Sequence, residues 1–149
     1  MRSLLAALAV LAITGCDVNV EVDTEVEWLK APGTEDMDLP FSSAVRVDNL
    51  LFLSGALGYD YEAGGLVDGG IQAETRKTLE NISQTLENFG SSMDKVVKCT
   101  VFLADMSEWA AMNEVYTTFF ENKPARSALG VNGLALDART EIECIAVVD

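Results

Sequence analysis

The sequence predicts an α+β fold, a mixed sheet with two helices on one face. Three observations predict it. Five short stretches are β-branched or alternate apolar with polar residues: 45–47, 50–54, 96–103, 127–131 and 142–148. Two other stretches repeat apolar residues every three or four positions. Their order is two strands, helix, strand, helix, two strands.

Val45 to Val47 and Leu50 to Ser54 flank Asp48-Asn49 and read as a hairpin. Gly55 to Gly70 is rich in glycine and turn residues and reads as a loop. Ile71, Thr75, Leu79, Ile82, Leu86 and Phe89 then define one helix face, with Gly90 placed as its C-terminal cap. Val96 to Leu103 is a strand. Asp105 and Glu108 have the spacing of a capping box. The following helix presents Trp109, Met112, Tyr116 and Phe119 as core packing, and Pro124 ends it. In the last strand Glu141 and Glu143 share one face, while Ile142, Cys144 and Ala146 share the other. Helices on one side leave the second face of the sheet in need of a cover, which self-association would supply.

The chain has 149 residues, 49% hydrophobic and 23% charged, which suits one globular domain. Its 24 acidic and 10 basic side chains give a formal net charge of −14. A surface of that sign repels phosphate backbones and argues against nucleic acid as a partner. The chain has no histidine. Ser-His-Asp and Cys-His nucleophilic chemistry and every His-ligated metal site are thereby excluded. Cys16, Cys99 and Cys144 form no CxxC pair. We expect Cys99 and Cys144 to be buried thiols. A disulfide is the alternative, provided their α-carbons come within about 7 Å.

Arg2 and the apolar run Leu4 to Ile13 read as a signal peptide over residues 1–15, too short for a committed membrane span. The run ends in Thr14-Gly15-Cys16, which resembles the bacterial lipobox. That resemblance implies lipidation of Cys16, a membrane anchor and a place on the periplasmic side of the cell envelope. Asp17 resembles an inner-membrane retention signal. Residues 16–38 are acidic and read as a tether. An added edge strand is the alternative, since Val18, Val20, Val22 and Val26 alternate with polar residues. The domain proper is then 39–149.

Two segments carry the candidate chemistry. Arg126 follows Pro124 and opens a strand, and its planar fork suits a carboxylate. Glu141 and Glu143 lie on an otherwise apolar strand. Either these charges are solvated or ion-paired, or Arg126 and a glutamate meet at one cleft and make a carboxylate pocket with an adjacent base.

The run Pro124-Ala125-Arg126-Ser127 together with Thr140-Glu141-Ile142-Glu143 resembles the signature of the RidA/YjgF imine-deaminase family. Val96 to Asp105, Asn113-Glu114-Val115-Tyr116 and Ser54-Gly55 are similar to that family's central strand, second helix and early strand end. Gln72, Leu79, Asn81 and Gly90 fall where its first helix has such residues, so the similarity spans about Pro40 to Val148. The resemblance implies a chorismate-mutase-like fold and a homotrimer with clefts between subunits. It implies hydrolysis of small 2-imino acids to 2-oxo acids and ammonia, with no metal or organic cofactor. Arg126 would grip the substrate carboxylate and Glu141 would position or activate the attacking water. Phe41, Ser54, Gly55, Asn113 and Ala128 would line the pocket. Three positions depart from the family pattern: Phe41 stands for a tyrosine, Ala56 for a glutamine and Ala128 for a cysteine, and these bear on substrate range. A non-catalytic binding module for small carboxylates in the same cleft is the competing reading. The RNA cleavage suggested for some relatives fits poorly with the negative charge and the lack of histidine.

Overall fold

The computed structural model describes residues 23–148. The proposed signal residues, Cys16 and Asp17 lie outside them. Nine strands and two helices follow in chain order. They are β1 (Val26–Leu29), β2 (Ala44–Val47), β3 (Leu50–Leu53), β4 (Ala56–Leu57), β5 (Tyr59–Asp60), β6 (Gly65–Leu66), α1 (Gly70–Asn88), β7 (Val96–Leu103), α2 (Trp109–Tyr116), β8 (Ala125–Gly130) and β9 (Thr140–Val147). The main sheet runs β1-β2-β3-β9-β7-β8, with β4 also paired to β9. The β7–β8 pair is parallel and the other pairs are antiparallel. The sheet is therefore mixed, as expected, and β8 forms one edge.

Alternation along the strands puts Ala44, Leu51, Leu53, Cys99, Val101, Leu103, Ile142, Cys144 and Ala146 in one core with Leu79, Ile82 and Leu86 of α1 and Met112 and Tyr116 of α2. Each of these strand residues is buried while its neighbours are less so, the period-two signature of a sheet covered on one side. Burial of a full aliphatic side chain stabilises by about 1.5–3 kcal/mol, so this layer is the main source of folding free energy. The opposite face carries Trp28, Val45, Phe52 and Ile145 in one cross-strand row. Trp28 is 70% exposed in the single chain.

Gly90 adopts φ +81° and closes α1. Its N–H donates to the Glu87 carbonyl, and the Ser91 N–H reaches back to the Leu86 carbonyl at 2.8 Å. This pair of bonds satisfies carbonyls that the last helical turn leaves open.

Four expectations need correction. Residues 16–38 are not a tether throughout: Val26–Leu29 pairs antiparallel with Ala44–Val47 as an edge strand. Its alternation fits the sheet, since Leu29 packs against the core. The stretch read as a loop over 55–70 contains β4 and a small hairpin of β5 and β6. The second helix stops at Tyr116 instead of running toward Pro124. The hydroxyls of Thr117 and Thr118 bond the carbonyls of Asn113 and Val115, a local competition that favours turns over further helix. Finally, Cys99 and Cys144 are not separate thiols but form a disulfide. They sit directly opposite one another in the β7–β9 register, with α-carbons 4.1 Å apart.

Candidate active site

Arg126 lies on the edge strand β8, aligned with Cys99 of β7, so its side chain projects to the helix-covered face. There its Nη1 donates to Asn113 Oδ1 of α2 at 2.6 Å. The guanidinium carbon lies 4.6 Å from the Tyr116 ring centre and 5.8 Å from that of Trp109. Both distances suit cation–π attraction, which holds the fork without consuming its N–H donors. Burial pushes the Tyr116 phenol up, with Arg126 opposing, so the ring meets the cation in its neutral form. Ala128, two residues further along β8, faces the same way and packs against the core edge. Gly130 follows at the same side, where an added Cβ would lie 2.7 Å from Met106 Cγ.

Trp109 was expected in the core but is 39% exposed. It opens α2 at the sheet edge and flanks Arg126 instead of packing inward. The helix entry itself forms as the capping pattern suggests on one side only. Asp105 Oδ1 accepts from the Ser107 N–H at 2.8 Å. Glu108 does not reach back but pairs with Arg139.

Glu141 occupies the other face of the sheet, with Ile142 and Thr140 buried on either side of it in sequence. Its carboxylate lies across the backbone of Gly55. A Cβ at that position would fall 1.9 Å from Glu141 Oε1, so only glycine leaves room for it. Partial burial raises the pKa of Glu141, and the neighbouring Glu143 raises it further. A carboxylate poised above its ordinary range is a better proton acceptor near neutral pH. Ser54 is fixed beside it. Its N–H donates to the Ser43 carbonyl and its hydroxyl to the Ser42 carbonyl at 2.7 Å. Phe41, on the segment entering β2, is 56% exposed at the same end of the sheet.

The sequence-selected residues therefore fall into two half-sites. Arg126, Asn113 and Ala128 make one on the helix face. Glu141, Gly55 and Ser54 make the other on the open face, and Phe41 lies exposed on the segment before β2. The register fixes their separation: Glu141 pairs with Phe102, which pairs with Leu129, three residues beyond Arg126. Three steps along and two strands across place the α-carbons on the order of 14 Å apart, with side chains on opposite faces. One chain does not bring the guanidinium and the carboxylate together.

Sequence reasoning missed three contacts. Tyr116 is in the core as expected but also sets its ring 4.6 Å from the Arg126 guanidinium carbon, and Trp109 flanks that group from a more exposed position. Glu74 of α1 is 4% exposed, and its Oε1 accepts the backbone N–H groups of Arg139 and Thr140, just before Glu141. Its place on the apolar side of a helix was the available signal, since an acid at such a position needs a partner. Among the described residues no three Cys, Asp or Glu side chains gather as a metal-binding set.

The endoribonuclease L-PSP family model matches residues 34–148. Mouse 2-iminobutanoate/2-iminopropanoate deaminase is 43% identical over 109 residues, covering 72% of this chain and 81% of its own length. Among solved structures, YEO7 of yeast matches with a TM-score of 0.77 at 35% identity, over 84% of this chain and all of that one. The structure of E. coli TdcF with bound serine matches with a TM-score of 0.71 at 32% identity, over 74% of this chain and 90% of that one.

Proposed function

The chain belongs to the endoribonuclease L-PSP family, in which the RidA deaminases fall, and on that premise we propose that it hydrolyses small 2-imino acids to 2-oxo acids and ammonia. The observation that carries the proposal is the pair of half-sites: a fork held ready for a carboxylate and a partly buried glutamate laid over bare backbone. Arg126 binds the substrate carboxylate, and Asn113 fixes the fork. Glu141 accepts a proton from water as it adds to the C=N carbon. Glu141 then returns that proton to the carbinolamine nitrogen, the C–N bond breaks as the hydroxyl oxygen forms the new C=O, and the nitrogen leaves as ammonia, carrying off the hydroxyl proton as ammonium. Positioning and one proton acceptor are the contributions such a reaction needs. Phe41, Ser54, Gly55 and Ala128 shape the space around the substrate. The deaminase named in mouse supports this reading over RNA cleavage, as does the formal charge of −14 without histidine.

We further propose a homotrimer. The two half-sites are different surfaces, and joining unlike surfaces in a closed ring is the head-to-tail arrangement of cyclic oligomers. The exposed row from Trp28 to Phe52 on the open face needs a cover of this kind.

The serine bound to E. coli TdcF favours a second reading, a carboxylate-binding module without turnover. Glu141→Gln separates the two. In a coupled assay of ammonia release, the deaminase reading expects kcat to fall by about 10²–10⁴-fold with ligand affinity nearly kept. The wild type should lose activity as pH falls through the raised Glu141 pKa, above the usual carboxylate range, because the protonated acid cannot accept a proton. Binding of 2-oxo acids by a wild-type protein that releases no ammonia from any 2-imino acid would establish the module instead.

For the N-terminal residues we propose a lipid anchor on Cys16 and a place on the periplasmic side of the envelope. The Cys99–Cys144 disulfide supports an oxidising compartment. Metabolic labelling with a palmitate analogue in a bacterial host is expected to mark the full chain, and Cys16→Ser is expected to abolish the mark and release the protein from membranes. An equal soluble fraction for both would discard the anchor.

A further inference from the structure

Glu74 sits on the sheet-facing side of α1 and is nearly inaccessible. Burying a carboxylate costs several kcal/mol unless its oxygens are met by donors. The donors here are backbone amides: Arg139 N–H at 2.5 Å and Thr140 N–H at 3.1 Å, both onto Oε1. These are the two peptide groups that lead into Glu141. The same turn of α1 also touches the chain after β4. A Cβ on Gly58 would lie 2.5 Å from Glu74 Cγ, so the absence of a side chain lets the helix close on that strand. Two helical turns further, Asn81 Nδ2 donates to the carbonyls of Leu57 and Tyr59, both at 2.9 Å. α1 thus clamps, from behind the sheet, both the strand that carries Glu141 and the strand over which its carboxylate lies.

Stability alone is a poor reason for an acid in this place, because apolar side chains of similar volume often replace buried charged groups at no cost. From this geometry we propose that Glu74 is a positioning residue for the water-activating half-site, fixing the backbone at Arg139–Thr140 so that Glu141 stays over Gly55. The proposal rests on the deaminase reading for its kinetic consequence, but its structural content stands without turnover. Displacement of a catalytic group by about 1 Å costs on the order of 10²-fold in rate.

The test uses Glu74→Gln and Glu74→Leu in the full chain. Glutamine keeps a carbonyl acceptor for the two amides, and leucine removes it at similar size. Glu74→Gln is expected to hold kcat within about threefold, and Glu74→Leu to lower it by about a hundredfold, with KM near wild type in both because the Arg126 half-site is untouched. A second readout is the ¹³C titration of the Glu141 carboxyl, identified by its loss in Glu141→Gln. Glu143 is the charged neighbour on its own strand, Lys98 of β7 reaches Ser127 at 3.0 Å, and β3 and β4 offer no titratable side chain. In Glu74→Leu the Glu141 titration is expected to move down toward the ordinary carboxylate range as water enters, and in Glu74→Gln to stay. An unmoved Glu141 titration in a folded Glu74→Leu protein overturns the proposal, as does a loss confined to thermal stability. If the wild type itself lacks turnover, the deaminase reading falls and the titration still decides the role of Glu74.

Discussion

Arg126→Ala is expected to lower kcat/KM for 2-imino acids by about a thousandfold while the protein still folds. Two charge-assisted hydrogen bonds to a carboxylate contribute roughly 1.5–3 kcal/mol each, and about 4 kcal/mol corresponds to three decades in rate constant. The loss should appear in both KM and kcat, since the fork holds the substrate and also sets the distance from its C=N carbon to the water. Arg126 lies half-buried on the edge strand, so its removal strips Tyr116 and Trp109 of a cation without opening the core. Arg126→Lys should recover little. A lysine carries the charge but cannot bond Asn113 and present a planar pair of donors at once. Steady-state kinetics with an oxidase-generated imine, beside a thermal melt, measures both. Wild-type kcat/KM in a folded Arg126→Ala protein would remove Arg126 from the site.

Much of this arrangement could be read from the chain. Val96–Leu103 was placed to the residue, because the stretch is rich in β-branched side chains. The split of Glu141 and Glu143 from Ile142 and Cys144 followed from the strand period alone, and burial follows it position by position. Inter-strand register was not legible, because it is set by pairings between segments far apart in sequence. That register makes Cys99 and Cys144 direct neighbours, and it puts Arg126 on the face away from Glu141. Val26–Leu29 was obscured for a related reason: a short edge strand in an acidic stretch has little local signal, and its partner Ala44–Val47 decides it. Trp109 looked like core by spacing, but the first turn of a helix at a sheet edge has no second layer to pack against.

An equal mixture of Arg126→Ala and Glu141→Gln subunits, co-expressed or refolded together, is expected to regain about one quarter of wild-type activity per site although each variant alone is nearly inactive. The opposite faces of the two half-sites dictate this result. If each cleft takes its guanidinium from one subunit and its carboxylate from the next, a cleft is intact only where a Glu141→Gln subunit supplies Arg126 and an Arg126→Ala subunit supplies Glu141. In randomly assembled rings with head-to-tail contacts that combination occurs at about one interface in four. The recovered activity should show the wild-type KM, because the intact clefts contain every native group. Mixing the two pre-assembled variants without exchange should recover nothing, which controls for contaminating deaminase. A site completed within one chain predicts no recovery under any mixing protocol, and so does an assembly that keeps the two surfaces apart. The latter would leave Arg126 and Glu141 on opposite faces with their α-carbons about 14 Å apart, too far for one small substrate to touch both.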